Sequence, residues 1–179
     1  MNRFVLNETS YHGAGAINSI PEEIRGRGFK KVLVASDPDL VKFGVTKKVT
    51  DVLENAGIEY TLYSDIKPNP TIQNVQHGVE VFKESGADCI VAIGGGTVID
   101  IAKAVAVAAP EDKVDDLYDH VSELEKRHPL IIVPTTCGTG SEVTNISVMN
   151  RVSKGVKMGL ASDLSLIHIS EPTRPEPIS

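Results

Sequence analysis

Apolar positions in this chain fall into short runs divided by glycine, proline and charged residues, and the length of each run limits what it can form. Lys31-Val32-Leu33-Val34-Ala35-Ser36-Asp37 is an apolar run with a polar end, and Pro38 opens a helix-like stretch that reaches about Ala56, just before Gly57. Glu59 to Asp65 alternates and carries Tyr60, Thr61 and Tyr63, as a strand does. Pro68-Asn69-Pro70 then breaks the chain, Thr71 is placed to cap a helix through about Ser85, and Gly86 ends it.

Cys89-Ile90-Val91-Ala92-Ile93 is apolar on both faces, which suits a strand buried in a parallel sheet. It runs straight into Gly94-Gly95-Gly96 and a helix predicted over Val98 to Ala109, and Leu130 to Val133 runs in the same way into Pro134-Thr135-Thr136. Strand and helix alternate at the spacing of right-handed βαβ crossovers, so the predicted fold class is α/β, with a doubly wound, mostly parallel sheet. Two small hairpins are expected beside it, one pairing Phe4-Val5-Leu6 with Ser10-Tyr11-His12 and one pairing Ile146 to Met149 with Val156 to Leu160.

The stretch Glu111 to Arg127 is rich in Asp, Glu and Lys and reads as a solvated surface connection. From Ser165 to Ser179 the character changes abruptly, with Pro172, Pro175 and Pro177 and no periodicity. These residues read as a non-native or disordered tail, such as a fusion scar or a translated adapter sequence, which leaves 1–164 as one domain.

Composition narrows the partners. The 179 residues carry a formal charge of -6, and no run of Lys and Arg offers a field for a nucleic acid. No segment approaches the roughly 18 apolar residues of a membrane span. Cys89 and Cys137 are the two cysteines and suit reduced thiols, so a cytoplasmic protein is expected. His12, His77, His120, His128 and His168 are scattered, with no pair at metal-ligand spacing on one helix.

The chemistry concentrates after two buried strands. A diphosphate needs converging donors with no side chains in the way, and Gly94, Gly95 and Gly96 give a ligand access to the N–H groups of the next helix. Thr97 adds a hydroxyl. Thr135-Thr136-Cys137-Gly138-Thr139-Gly140-Ser141 follows the other strand with four hydroxyls and two glycines, placed to face the same ligand. Each loop alone reads as a tight turn with Thr97 or Ser141 as a cap; the pair reads as a dinucleotide site. Asp37 suits either the N-cap of the helix opened by Pro38 or an acceptor for a ribose diol, and its place at the end of a strand favours the ribose. Asp100, assigned to the first turn after the glycines, suits a dipole partner or a cofactor contact equally. Gly13-Ala14-Gly15 lacks the rest of a dinucleotide fingerprint and reads as a turn.

With Ala92-Ile93-Gly94-Gly95-Gly96-Thr97 and Asp100, and with Pro134-Thr135-Thr136 followed by Gly138-Thr139-Gly140-Ser141-Glu142, the sequence resembles the iron-dependent (group III) alcohol dehydrogenases. The similarity runs over about Asn7 to Leu164, takes in Pro68-Asn69-Pro70-Thr71, and is strongest toward the branch that holds the lactaldehyde reductases. It implies a Rossmann-like N-terminal domain of the dehydroquinate synthase type. It also implies NAD as cofactor, with Asp37 at the adenosine ribose, and Asn69, Gly95, Gly96, Thr97 and Asp100 along the cofactor. Thr135, Thr136 and Thr139 would line its other side, with Lys157 as a cofactor-facing lysine. Family members pass hydride between nicotinamide and a primary alcohol or aldehyde while Fe(II) or another divalent metal polarises the substrate oxygen. Their metal ligands lie on a helical C-terminal domain that this sequence lacks, so no metal ligand is assigned here and turnover by the fragment is not expected. A homodimer is implied for the full-length enzyme. Two other readings stand beside this one: a phosphotransferase with a Gly-Gly-x-Gly-Thr type loop, whose loop aspartate is missing here, and a non-catalytic nucleotide-binding or assembly module.

Overall fold

A computed structural model gives the structure of the chain, and it describes residues 8–110, 127–144, 146–151, 156–161 and 166–170. In chain order, β1 (Thr9–His12) leads to α1 (Ile20–Gly26), β2 (Lys31–Ala35), α2 (Pro38–Lys42), α3 (Lys47–Asn55) and β3 (Glu59–Tyr63). Then come α4 (Ile72–Ser85), β4 (Cys89–Gly94), α5 (Gly96–Ala108) and β5 (Leu130–Pro134), followed by β6 (Ile146–Arg151), β7 (Val156–Ala161) and β8 (Leu166–Ser170). The main sheet has the order β1-β8-β5-β4-β2-β3, with every neighbouring pair parallel, and β6 and β7 form a separate antiparallel hairpin.

Each central strand is covered on both faces, and the faces are read off alternate residues. Leu33, Ala35, Ile90, Ala92, Leu130 and Ile132 belong to the core under α4 and α5. Val32, Val34, Cys89, Val91, Ile93, Ile131 and Val133 belong to the core under α1 and α3. Helix α5 is buried along almost its whole length, with Val98, Ile99 and every residue from Ile101 to Ala108 enclosed. A helix that is apolar all round must be covered all round, and α4, β4, β5 and β6 supply the cover. Burial pushes the Cys89 thiol up to about 12, so it stays protonated inside this core.

The structure revises three boundaries. The helix expected from Pro38 to Ala56 is two helices, because Gly44 takes a left-handed turn at φ 74 between α2 and α3. Ser10-Tyr11-His12 does belong to a strand, and β1 pairs in parallel with β8, Thr9 opposite Ile167, a pairing the sequence did not suggest; the Phe4–Leu6 side of the expected hairpin lies outside the described residues. Residues 166–170, set outside the fold on sequence, occupy the place between β1 and β5, with Ile169 fully buried. The β-branched residues of Leu166-Ile167-His168-Ile169 suit a sheet, whereas the prolines that suggested a tail begin only at Pro172. The hairpin expected from Ile146 is present as β6 and β7. Phe4 to Leu6, most of the acidic stretch after Glu111 and the residues from Glu171 onward lie outside the described residues.

Thr71 caps α4 as expected: its hydroxyl accepts from Asn74 N while Asn74 Oδ1 accepts from Thr71 N, a reciprocal capping box. One turn on, Gly78 lets α4 lie close to α5, since a Cβ there would sit 2.7 Å from Val105 Cγ2 and 3.3 Å from Tyr63 Cε1. Val105 is β-branched and cannot easily turn away. Gly78→Ala is therefore expected to destabilise the fold by about 1–2 kcal/mol in urea unfolding, despite the higher helix propensity of alanine. Adding Val105→Ala should recover part of the loss, and a Gly78→Ala chain more stable than the parent would contradict this packing.

Candidate functional site

Three strand ends meet at one place. The chain winds outward from β2 to β3, then returns to the other side of β2 with β4 and continues to β5, so the direction of winding reverses between β2 and β4. In an open parallel sheet a crevice forms outside the carboxyl ends of the strands at such a point. The loops after β2, β4 and β5 enclose it.

Gly94 ends β4, Gly95 is the N-cap of α5, and no side chain caps the helix there. Its first-turn N–H groups are thus open to an outside acceptor. The turn is tight, for a Cβ on Gly94 would fall 2.5 Å from Val98 Cγ2. The two loops also touch: a Cβ on Gly95 would lie 3.1 Å from Thr136 Oγ1, and one on Gly96 would lie 3.2 Å from Ser141 Oγ and 3.3 Å from Thr139 Cβ. Thr135 N donates to Gly94 O at 3.0 Å, which ties the second loop to the first.

A cleft of about 640 Å³ opens over this floor. Asp37, Leu40, Phe43 and Lys67 form its outer walls, and Gly95, Gly96, Thr97, Thr135 and Thr136 its base. Asp37 does cap α2, accepting from Leu40 N through Oδ1 at 2.8 Å, and it borders the cleft as well. The two readings of this residue are compatible, because a carboxylate can accept through both oxygens.

A smaller cavity of about 200 Å³ lies beyond Thr97, which lines both spaces. Asn69, Asp100, Asn150 and Lys157 surround it, with Pro70 and Val148. Asn69 holds φ 58, a left-handed conformation uncommon outside glycine. The backbone beside it is fixed to the hairpin by Asn150 N donating to Pro70 O at 2.8 Å. Helix α5 begins at Gly96 rather than Val98, so Asp100 sits beyond the first turn, where the helix dipole has faded. Its contacts are with β6 instead: Oδ2 accepts from Val148 N at 3.3 Å, and its carbonyl accepts from Ser147 Oγ at 2.7 Å. Oδ1 is enclosed with no hydrogen-bond partner. Burial pushes the Asp100 carboxyl above its usual range, partly countered by the Val148 N–H, the Lys103 ammonium and the Ser141 hydroxyl.

Of the residues singled out from sequence, Asp37, Gly95, Gly96, Thr135 and Thr136 line the larger cleft, Asn69, Asp100 and Lys157 the smaller, and Thr97 both. Thr139 borders neither of these two spaces; it packs beside Gly96 and lies with Oγ1 3.3 Å from Glu142 Oε2. Sequence reasoning passed over Phe43, which is 73% exposed at the cleft rim, and Asn150, brought in by the hairpin. It also passed over Lys103, although a lysine inside an apolar helix is a visible anomaly. Among the described residues, no three His, Cys, Asp or Glu side chains come together as a metal set. No described helix is long and apolar enough to cross a membrane.

Comparison with known proteins supplies the family. The family described as iron-containing alcohol dehydrogenase matches residues 7–169. Lactaldehyde reductase from Escherichia coli K12 is 40% identical over 146 residues, covering 80% of this chain and 38% of that enzyme. Sulfoacetaldehyde reductase from Bilophila wadsworthia is 37% identical over 153 residues, or 85% of this chain and 40% of that enzyme. Among solved structures, a 1,3-propanediol oxidoreductase superposes with a TM-score of 0.88 at 32% identity, over 96% of this chain and 46% of the other. A sulfoacetaldehyde reductase from Bifidobacterium kashiwanohense in complex with NAD+ gives 0.87 at 25% identity, over 96% and 46%. The chain thus spans about 40% of the length of these curated relatives. The match across nearly all of its sheet and both glycine-bearing loops means that the chain belongs to the iron-containing alcohol dehydrogenase family.

Proposed function

We propose that this chain is the nucleotide-binding part of an NAD-dependent, metal-dependent alcohol dehydrogenase, acting between a primary alcohol and its aldehyde. The observation that carries this reading is the side-chain-free N-terminus of α5, set between two connected spaces that share Thr97. A dinucleotide is a long ligand with a diphosphate in its middle, and a helix N-terminus approached over glycines is suited to that diphosphate. On this reading the adenosine half occupies the larger cleft, where Asp37 accepts from the ribose hydroxyls and repels a 2′-phosphate. The nicotinamide half lies toward Asn69, Asp100 and Lys157. Thr135 and Thr136 close the base, and Thr139 acts from behind by keeping its loop against Gly96.

When bound, NAD supplies the site that accepts or gives the hydride; the residues of this chain bind and orient it. Names of relatives such as lactaldehyde reductase and 1,3-propanediol oxidoreductase support a small polar alcohol or aldehyde as substrate. We assign the metal ligands to the part of the relatives that this chain does not match, and turnover to a polypeptide that includes it. Chelator-sensitive alcohol oxidation by the purified 179-residue chain alone would overturn that assignment. We further assign the enzyme to the reducing cytoplasm, supported by two unpaired thiols, Cys89 buried and Cys137 exposed. We also propose a homodimer for the full-length enzyme, as the resemblance to the family implies.

Calorimetric titration of the chain with NADH and NADPH tests the cofactor reading. Saturable NADH binding is expected, with Asp37→Ala weakening NADH and narrowing its advantage over NADPH by about tenfold. A folded chain that takes up neither nucleotide would sink the proposal. A second readout uses the thiols: iodoacetamide should modify exposed Cys137 and spare Cys89, and saturating NADH should slow the reaction at Cys137, whose loop adjoins Thr136. Equal modification of both thiols in the native chain would contradict their placement.

A further inference from the structure

Lys103 is fully buried in the middle of α5, flanked from Ile101 to Ala108 by Ile, Val and Ala. An ammonium there is costly unless oxygen atoms surround it. They do: Lys103 Nζ donates to Thr144 O at 2.7 Å and to Ile146 O at 3.0 Å, with Thr144 Oγ1 at 3.4 Å. Both carbonyls belong to the segment that enters β6. Asp100, one turn earlier on the same helix, holds the next part of β6 through Val148 N and Ser147 Oγ, and its unpartnered Oδ1 lies 4.0 Å from Lys103 Nζ. The pair thus fastens the start of the hairpin to α5 at successive points. That hairpin carries Asn150 and Lys157 to the smaller cavity, on residues that face each other across β6 and β7.

We infer that Lys103 is a positioning residue of the cofactor site, acting through Asp100: it anchors the entry to the β6–β7 hairpin and keeps Asp100 a carboxylate facing the smaller cavity. The inference rests on the cofactor reading for its binding consequences, while the clamp itself is a property of the folded chain. Among the described residues the charge that acts on Asp100 is Lys103 from its own helix, and Lys157 from β7 lines the same cavity. Glu142, on the loop after β5, acts on Lys103. Burial lowers the affinity of Lys103 for its proton, and Asp100 and Glu142 work in the opposite direction. Burial raises Asp100, and the Lys103 ammonium pulls it back. As pH falls, Asp100 takes a proton and becomes a weaker acceptor for Val148 N–H. Without the ammonium this happens at a higher pH.

The test is a double-variant cycle on the whole chain with Lys103→Met, Asp100→Asn and their combination, titrated with NADH across the acid range. Lys103→Met should weaken NADH roughly tenfold at neutral pH and move the acid-side loss of binding to higher pH; Asp100→Asn should abolish that acid-side loss. The combined variant should bind no worse than Asp100→Asn, because the lysine acts through the carboxylate. Additive losses at every pH would mean that Lys103 only stabilises the fold, and would overturn the inference, as would unchanged binding in a folded Lys103→Met chain. Lys103→Gln, which keeps a donor without the charge, serves if the methionine variant does not fold, and should show the same upward move of the acid-side loss. Amide exchange at Val148 separates the two levels of argument. If the parent chain fails to bind NADH, the cofactor reading falls, but faster exchange at Val148 in the lysine variant would still support the clamp and unchanged exchange would refute it.

Discussion

The arrangement depends on a sheet whose central strands are covered on both faces. A parallel sheet cannot leave one face to water while its crossover helices lie on both sides, so β2, β4 and β5 must be apolar at nearly every position, as they are. The same constraint sends every polar function to the strand ends. Only where the backbone leaves the sheet can it present N–H groups and hydroxyls, and the reversal of winding between β2 and β4 brings three such ends together. The cleft is therefore a consequence of how the sheet is covered. Its glycines are required because a side chain at Gly95 or Gly96 would meet the neighbouring threonine loop.

Sequence reasoning reached most of this because its strongest signals are local. The continuous apolar runs at Cys89 and Leu130 cannot be solvent-facing strands, and the glycines and threonines that follow them have few other uses so close to a sheet. The capping box at Thr71 was also legible, since a cap is built from residues three apart in the chain. Asp37 was ambiguous for the opposite reason: one side chain serves both as a cap and as a wall of the cleft, and local pattern cannot rank two compatible roles.

What escaped was set by distant partners or by a single dihedral. Gly44 divides what reads as one amphipathic helix, because Phe43 and Val45 continue the apolar pattern across a residue whose left-handed turn leaves no mark in the periodicity. The start of α5 at Gly96 moved Asp100 out of the first turn, and its real partners, Ser147 and Val148, lie 47 and 48 residues away. Lys103 could be noticed as an oddity in an apolar helix, but its meaning depends on carbonyls more than 40 residues further along. The strand after Leu166 was hidden by the prolines that follow it.

That last strand bears on how the molecule is made. Among the described residues β1 is held in the sheet through β8, with Thr9 opposite Ile167 and His12 opposite Ser170. Among these residues β1 therefore has no neighbour in the sheet until β8, far along the chain, has been made. Contacts at such separation close slowly, and a waiting strand edge is open to wrong partners. β1 must wait while β2 to β5 assemble, and among the described strands it is β8 that joins it to them.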